Sequence, residues 1–383
     1  MSALRIDVKK DVWLWAIKES QKEEEEILNK YPKIEKWIDG IEKPTFKQLE
    51  KLANFLKVSF GYFFLEKPPK ENVLETEFRS INNKIPDISK NLKDTIIEMD
   101  SKKTWISDYR KKLGWDKLEI INQFNENKKD NIERDVILAK ELIELKEYWY
   151  KELKNYGEAF NLIRNKLEEK GILTMKNGVV GMNTHRKLNI NEFRAFMLYD
   201  DIAPLVFINN NDSMGGKIFS LIHEYIHILL EKEDVIVSEE KNRVLENETY
   251  INKITAEFLM PKKHIEELWD KQKNDIAQII ELSKLMKVSS LALAIRLNNL
   301  AFIDNSIVKI IRKKALKEFD KKDNNGGGDF YKTYNTRISK NFKEAVINEV
   351  ESGEITYTYA FELLGGIKGR TYDKIKEDMI NYD

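Results

Sequence analysis

The sequence predicts an α+β protein that is mostly helix, and three patterns carry that expectation. Apolar residues recur at helical spacing through much of residues 1–68, 88–170 and 213–300. Between the last two blocks, ILTMKNGVVGM, EFRAFMLYD and PLVFINNN are short, β-rich and broken by Gly or Asn, as a small sheet with hairpins would be. LIHEYIHILL, residues 221–230, then sets two of the chain's four histidines four apart on an apolar helix.

A chain of 383 residues exceeds one ordinary core, and 42% apolar residues suffice to build several. Lys+Arg and Asp+Glu balance at 65 each, so no global field favours nucleic acid or an anionic membrane, and partners must be recognised locally. The absence of cysteine excludes disulfides, thiolate metal sites and cysteine nucleophiles together, leaving His, Asp and Glu as metal ligands. No apolar run approaches the roughly 18–20 residues that span a bilayer, and MSALRIDVKKDVWLW lacks the apolar core of a signal peptide. The expectation is a cytoplasmic protein with no membrane partner.

In chain order, residues 1–68 read as five short helices. VWLWAIKES has helical apolar spacing, PKIEKWIDG begins with Pro and ends with Gly, and PTFKQLEKLANFLKV opens on Pro and continues amphipathically. Trp37 fits an apolar stripe and is expected in the core. LEKPPKENV closes this module with adjacent prolines. Residues 69–170 form a connecting region of long charged helices whose alternating signs suggest solvated faces. The pattern changes at Gly171, and residues 171–305 hold the β-rich stretch followed by helices. Residues 306–383 contain DKKDNNGGGDFYKT, Asp320 to Thr333, a flexible joint before a last helical region. Its Gly triplet lacks the GKS or GKT ending and the preceding strand of a phosphate loop, so no nucleotide is expected.

Positions i and i+4 of a helix lie about 40° apart around its axis, so His223 and His227 project from one side and can meet one ion. Glu224 follows the first histidine and points beside the pair. Zinc lowers the pKa of water to about 7, and a carboxylate so placed can take the proton and pass it to a leaving amine. A catalytic zinc needs a third protein ligand. LENETYINKITAEFLMP supplies candidates on a second helix: Glu248, four before Asn252, with Glu246 and Glu257 as rivals that spacing alone does not exclude.

FRAFMLYDDIAPLVFINNNDSMGGKIFSLIHEYIHILL, then ETYINKITAEFLMP, then LSKLMKVSSLALAIRLNNLAFI together resemble the ImmA/IrrE metallopeptidases. The resemblance implies a zincin-like peptidase domain with His223 and His227 as metal ligands, Glu224 as general base and Glu248 as third ligand. Ala195 departs from the usual glycine of the FRGF pattern, and Tyr225 with Ile226 replaces the usual pair inside the histidine motif. Neither departure removes a ligand. The metal is expected to be Zn2+, with Mn2+ also compatible with a His/carboxylate set. A further donor for the transition state is sought among His264, Arg194, Tyr225 and His185.

KIEKWIDGIEKPTFKQLEKLANFLKVSFGYFFLEKPP resembles the later half of an XRE-type helix-turn-helix domain, whose recognition helix would run from about Pro32 to Asp39. Up to Glu66, Arg5 and eleven lysines face twelve acidic residues. DNA affinity rests on phosphate neutralisation, so the module either uses a local face of Lys30, Lys33, Lys36 and Lys43 or docks a protein. The C-terminal region resembles the tail of longer family members, and its apolar helix faces could meet the peptidase, a second subunit in a dimer, or substrate.

These readings imply a zinc endopeptidase that cleaves a specific regulatory protein, expected from the family to be a helix-turn-helix transcriptional repressor. The alternatives are a DNA-binding regulator with a secondary or structural metal site, and a peptidase-like member of a toxin–antitoxin pair.

Overall fold

The computed structural model describes residues 5–20, 22–58, 60–68, 88–124, 131–230, 241–321 and 334–380, with backbone only at 241–246, 318–321 and 380. The chain divides into two compact units: Met1–Arg79 with Lys84–Asp94, and Ser80–Asn83 with Thr95–Asp383.

The first unit contains α1 (Lys10–Ser20), α2 (Glu24–Lys30), α3 (Ile34–Ile38), α4 (Phe46–Leu56) and a 3-10 turn at Phe60–Phe64. Five helical segments therefore stand where five were expected. α4 starts after Pro44 because Thr45 caps it: the Thr45 hydroxyl accepts from the Gln48 amide while the Gln48 side chain accepts from the Thr45 amide. Trp13 and Trp37 stack at 6.3 Å in the core with Leu49, Leu52 and Phe63, so Trp37 is buried as its apolar stripe suggested.

α5 (Lys90–Lys112), α6 (Ile132–Leu142) and α7 (Tyr156–Glu169) follow. This region departs from the expectation of long solvated helices in two ways. α5 buries Ile96, Met99 and Ile106, and its Arg110 is 3% exposed, with the guanidinium donating to the carbonyls of Gly171 and Ile202. Burial lowers that guanidinium to a pKa of about 10, against the pull of Asp200 and Glu168. The second difference is that the charged run from Ile132 to Glu169 breaks at residues 143–155. Trp149 and Tyr150 are buried there and Glu144 and Tyr148 take left-handed backbone angles, so aromatic burial overrides local helix preference.

β1 (Leu173–Asn177), β4 (Ala195–Leu198) and β5 (Leu205–Asn209) form a three-stranded sheet in the order β1-β5-β4; β1 runs parallel to β5, and β4 antiparallel to it. β2 (Val179–Val180) and β3 (Asn183–Lys187) make a separate antiparallel pair. Gly171 enters β1 at φ +87°, a conformation that favours glycine. Every residue of β5 is buried, as expected of a central strand covered on both faces.

α8 (Met214–Leu230) packs on β4, β5, α7 and α9 (Lys241–Leu259). A Cβ at Gly215 would lie 2.6 Å from the Ser289 amide nitrogen, so only glycine lets α8 approach the Val288–Ser289 turn this closely. α10 (Lys262–Leu268), α11 (Asp275–Met286), α12 (Ser290–Asn299) and α13 (Asn305–Lys321) complete the helical side. Most of the Gly-rich joint, residues 322–333, lies outside the described residues.

α14 (Lys340–Glu351), α15 (Tyr357–Leu363) and α16 (Gly369–Ile380) close the chain. The segment before α14 seals the outer edge of β1, where the Lys176 amide donates to the Arg337 carbonyl. Arg164 on α7, 9% exposed, donates to the carbonyls of Thr336, Ile338 and Thr174, and Glu168 accepts from the Lys340 amide. The C-terminal helices thus dock on α7 and β1 of their own chain through buried charged groups with satisfied partners.

Candidate metal centre

α8 is anchored at its start by Asp212, which accepts from the Ser213 amide at 2.7 Å and from Arg194 at 2.9 Å. Ile218, Leu221, Ile222, Tyr225, Ile226 and Leu229 are fully buried, which fixes the helix rotation. His223, Glu224 and His227 remain half-buried on the other side. Apolar anchoring on one face is what holds the polar face still.

α9 brings Glu248 to that face, with Ile251, Ile254, Phe258 and Leu259 forming its buried side. The Nε2 atoms of His223 and His227 are 3.2 Å apart, His227 Nε2 is 3.1 Å from Glu248 Oε1, and His223 Nε2 is 3.5 Å from Glu248 Oε2. Tetrahedral zinc with bonds of about 2.0–2.1 Å separates its ligand atoms by about 3.3 Å, so two imidazole nitrogens 3.2 Å apart, with a carboxylate facing one through each of its oxygens, suit one such ion. Among the described residues it is the one group of three or more His and acidic side chains close enough to share a metal. Burial alone would raise the Glu248 carboxyl, but hydrogen bonds and charge from His223 and His227 prevail and hold it well below the usual carboxylate range. A carboxylate and two imidazole nitrogens, all presented through lone pairs, are a donor set suited to a borderline divalent cation. Among the described residues the buried Nδ1 of His223 has no hydrogen-bond partner, and Nε2 is the engaged nitrogen of that ring.

The structure also places the rivals. Glu257 pairs with Arg296 of α12, and its other oxygen accepts from the Lys262 amide at 3.0 Å. Arg296 in turn donates to the Met260 carbonyl, so this arginine clamps the end of α9. The Glu246 side chain lies outside the described residues. Asn252 donates to the Glu248 carbonyl at 2.8 Å, within its own helix.

The expected transition-state donors are engaged elsewhere. Tyr225 is fully buried and its hydroxyl donates to the Ala139 carbonyl at 2.8 Å. Standing two residues from each histidine, it points to about the opposite side of α8. His264 is 2% exposed, with Nδ1 against the Tyr150 hydroxyl at 2.9 Å and Nε2 3.3 Å from Glu147. Burial lowers its pKa, while Glu147 opposes that shift. Arg194 is tied to Asp212, which precedes α8, and about 14 Å of helix at 1.5 Å per residue separates Met214 at its start from His223. His185 is exposed on β3.

In the first unit the four lysines do not make a bare basic face. Lys33 and Lys36 both meet Glu42, at 2.8 and 3.7 Å, Lys43 meets Asp7 at 3.0 Å, and Lys30 lies over the Phe55 ring. Three of the four cations therefore face an acid, with Lys33 and Lys36 sharing Glu42.

Two buried contacts that sequence alone did not suggest support the ligand-bearing helices. Tyr225 ties α8 to α6 at Ala139, and Tyr250 on α9 donates to the buried carboxylate of Asp135, also on α6. Only the polar Asp135 inside an otherwise apolar stripe hinted at this.

The family model Peptidase_M78, described as an IrrE N-terminal-like domain, matches residues 167–298. A second model, a domain of unknown function (DUF8813), matches residues 338–377. Comparison with curated proteins gave no match, and neither did comparison with solved structures. The Peptidase_M78 match begins at the end of α7 and ends in α12, so it encloses the whole His223, His227 and Glu248 triangle together with the sheet beneath it. The match over residues 167–298 supports an ImmA/IrrE-type peptidase domain in this part of the chain.

Proposed function

We propose that the protein is a metal-dependent endopeptidase that hydrolyses peptide bonds in a specific cytosolic regulatory protein. The observation that carries this reading is the convergence of His223, His227 and Glu248, with donor separations of 3.1–3.5 Å, inside a peptidase-family domain. These three residues would hold the ion, with zinc the first choice. Bound there, zinc supplies Lewis acidity and lowers the pKa of water toward about 7.

Glu224 acts as general base, since it stands next to His223 on the half-buried side of α8. Its carboxylate takes a proton from the attacking water and returns it to the amine of the departing peptide. α8 and α9 hold these groups rigid by burying their opposite faces. The substrate we favour is a helix-turn-helix transcriptional repressor, because the motifs that carry the family resemblance belong to peptidases fused to, and acting beside, such regulators.

The test uses the purified full chain with a candidate helix-turn-helix repressor as substrate. Wild-type protein is expected to bind about one zinc per chain and to cleave that repressor. Glu224→Gln is expected to retain the metal while cleavage falls at least about 100-fold, the lower range for a lost general base. Unchanged cleavage by Glu224→Gln would remove the catalytic reading and leave a structural metal site.

A further inference from the structure

The four lysines weighed in the first unit are largely compensated, yet among the described side chains one cationic face is not. It lies on α13, just beyond the peptidase-family residues. Between Asn305 and Lys317 this helix has Lys309, Arg312, Lys313, Lys314 and Lys317 and no acidic residue. All five are exposed, and none makes an ion pair or hydrogen bond among the described residues. Val308 and Ile311 are buried and pin the other side of the helix, which packs against α11 and α12.

The shape of this face distinguishes its partners. At about 100° per residue the five cations spread over roughly 200° of the helix circumference, and from Lys309 to Lys317 they occupy about 12 Å of its axis. A flat anionic bilayer can meet only the part of that arc turned toward it. Ile310 and Leu316 are exposed, but they sit about 120° apart with cations between them, so they form no apolar stripe to insert. A groove between two anionic walls meets both flanks of the arc at once. The major groove of B-form DNA is about 12 Å wide and admits an α-helix, and its duplex carries about one charge per 1.7 Å of axis. The corresponding groove of A-form RNA is too deep and narrow for such a helix.

We propose that α13 binds duplex DNA by seating in the major groove, with its five cations on the two phosphate ribbons and no reading of base sequence. This surface is separate from the metal centre and stands whether or not the protein is a peptidase. It also relocates DNA contact from the helix-turn-helix-like module to the end of the peptidase side.

The experiment is fluorescence anisotropy of a labelled mixed-sequence DNA duplex titrated with full-length protein at several salt concentrations. If four or five phosphates are neutralised, the slope of log K against log salt is expected near −4, following about −0.9 per contact. Lys313→Glu with Lys317→Glu, at two exposed positions, is expected to weaken binding at least about 10-fold and to flatten that slope. Replacing Lys30, Lys33, Lys36 and Lys43 by Gln should leave binding within about twofold, since three of them already face acids. The proposal is overturned if the α13 variant binds like wild type, if the first-unit variant loses binding instead, or if duplex RNA binds as well as DNA. It is equally overturned if wild type binds phosphatidylserine vesicles but no duplex.

Discussion

At the scale of single residues, the centre depends on which carboxylate completes the pair of histidines. Glu257 carries its charge into the contact with Arg296, whereas Glu248 is pulled into the histidine pair. Glu248→Gln, which keeps size but removes charge, should therefore lower zinc affinity far more than Glu257→Gln, as measured by chelator competition. Equal losses from the two would overturn the assignment of Glu248. The His-Glu-x-x-His arrangement was legible because i and i+4 share a helix face wherever the helix lies. The choice among Glu246, Glu248 and Glu257 was not, since it depends on how α9 rotates against α8. The partners of Tyr225, His264 and Arg194 were hidden as well, since a buried tyrosine and a buried histidine look the same in sequence as ones that line a cleft.

At the scale of elements, α6 acts as a brace outside the residues that match the peptidase family. It receives Tyr225 from α8 and Tyr250 from α9, so one short helix fixes both ligand-bearing helices. Tyr250→Phe removes the hydroxyl that reaches Asp135 without changing volume much. We expect zinc to bind about 10-fold more weakly, in line with other supporting contacts around metal ligands, with helical content retained. Unchanged zinc affinity would mean that the brace serves stability alone. Arg296→Ala leaves Glu257, 17% exposed, without its cation and should cost about 3 kcal/mol in a denaturant titration. Apolar periodicity made the helices themselves visible, but the break at residues 143–155 was hidden, because it exists to bury Trp149 and Tyr150 against partners remote in sequence.

For the whole molecule, the docking of the C-terminal helices depends on buried cations. Lys343 on α14 is 6% exposed, and burial, reinforced by Arg164, lowers its amine to about 8 from an ordinary value near 10.5. Between those two values the unfolded chain binds more protons at this position than the folded chain, so stability rises with pH across that window. Lys343→Met lacks this dependence. The wild-type melting temperature should therefore gain on that of the variant between pH 7 and pH 10, and a constant difference would show that Lys343 does not titrate in place.

Local spacing in the sequence was enough for the helical α+β class, the His-Glu-x-x-His motif and the likeness of residues 167–298 to a peptidase family, because tertiary contacts do not change it. Residues 221–230 offered two candidate ligands and a candidate base through the geometry of one helix. Folding was needed to set Glu248 beside the two histidines and Glu257 against Arg296, to build the brace at Asp135 and Ala139, and to dock residues 334–380 on β1. It also decided which cations are free: Lys33, Lys36 and Lys43 find acids brought to them by folding, while those of α13 find none among the described residues. The physical reason is common to all of these. Pairing and burial depend on distances between residues far apart in the chain, and a one-dimensional pattern does not hold those distances.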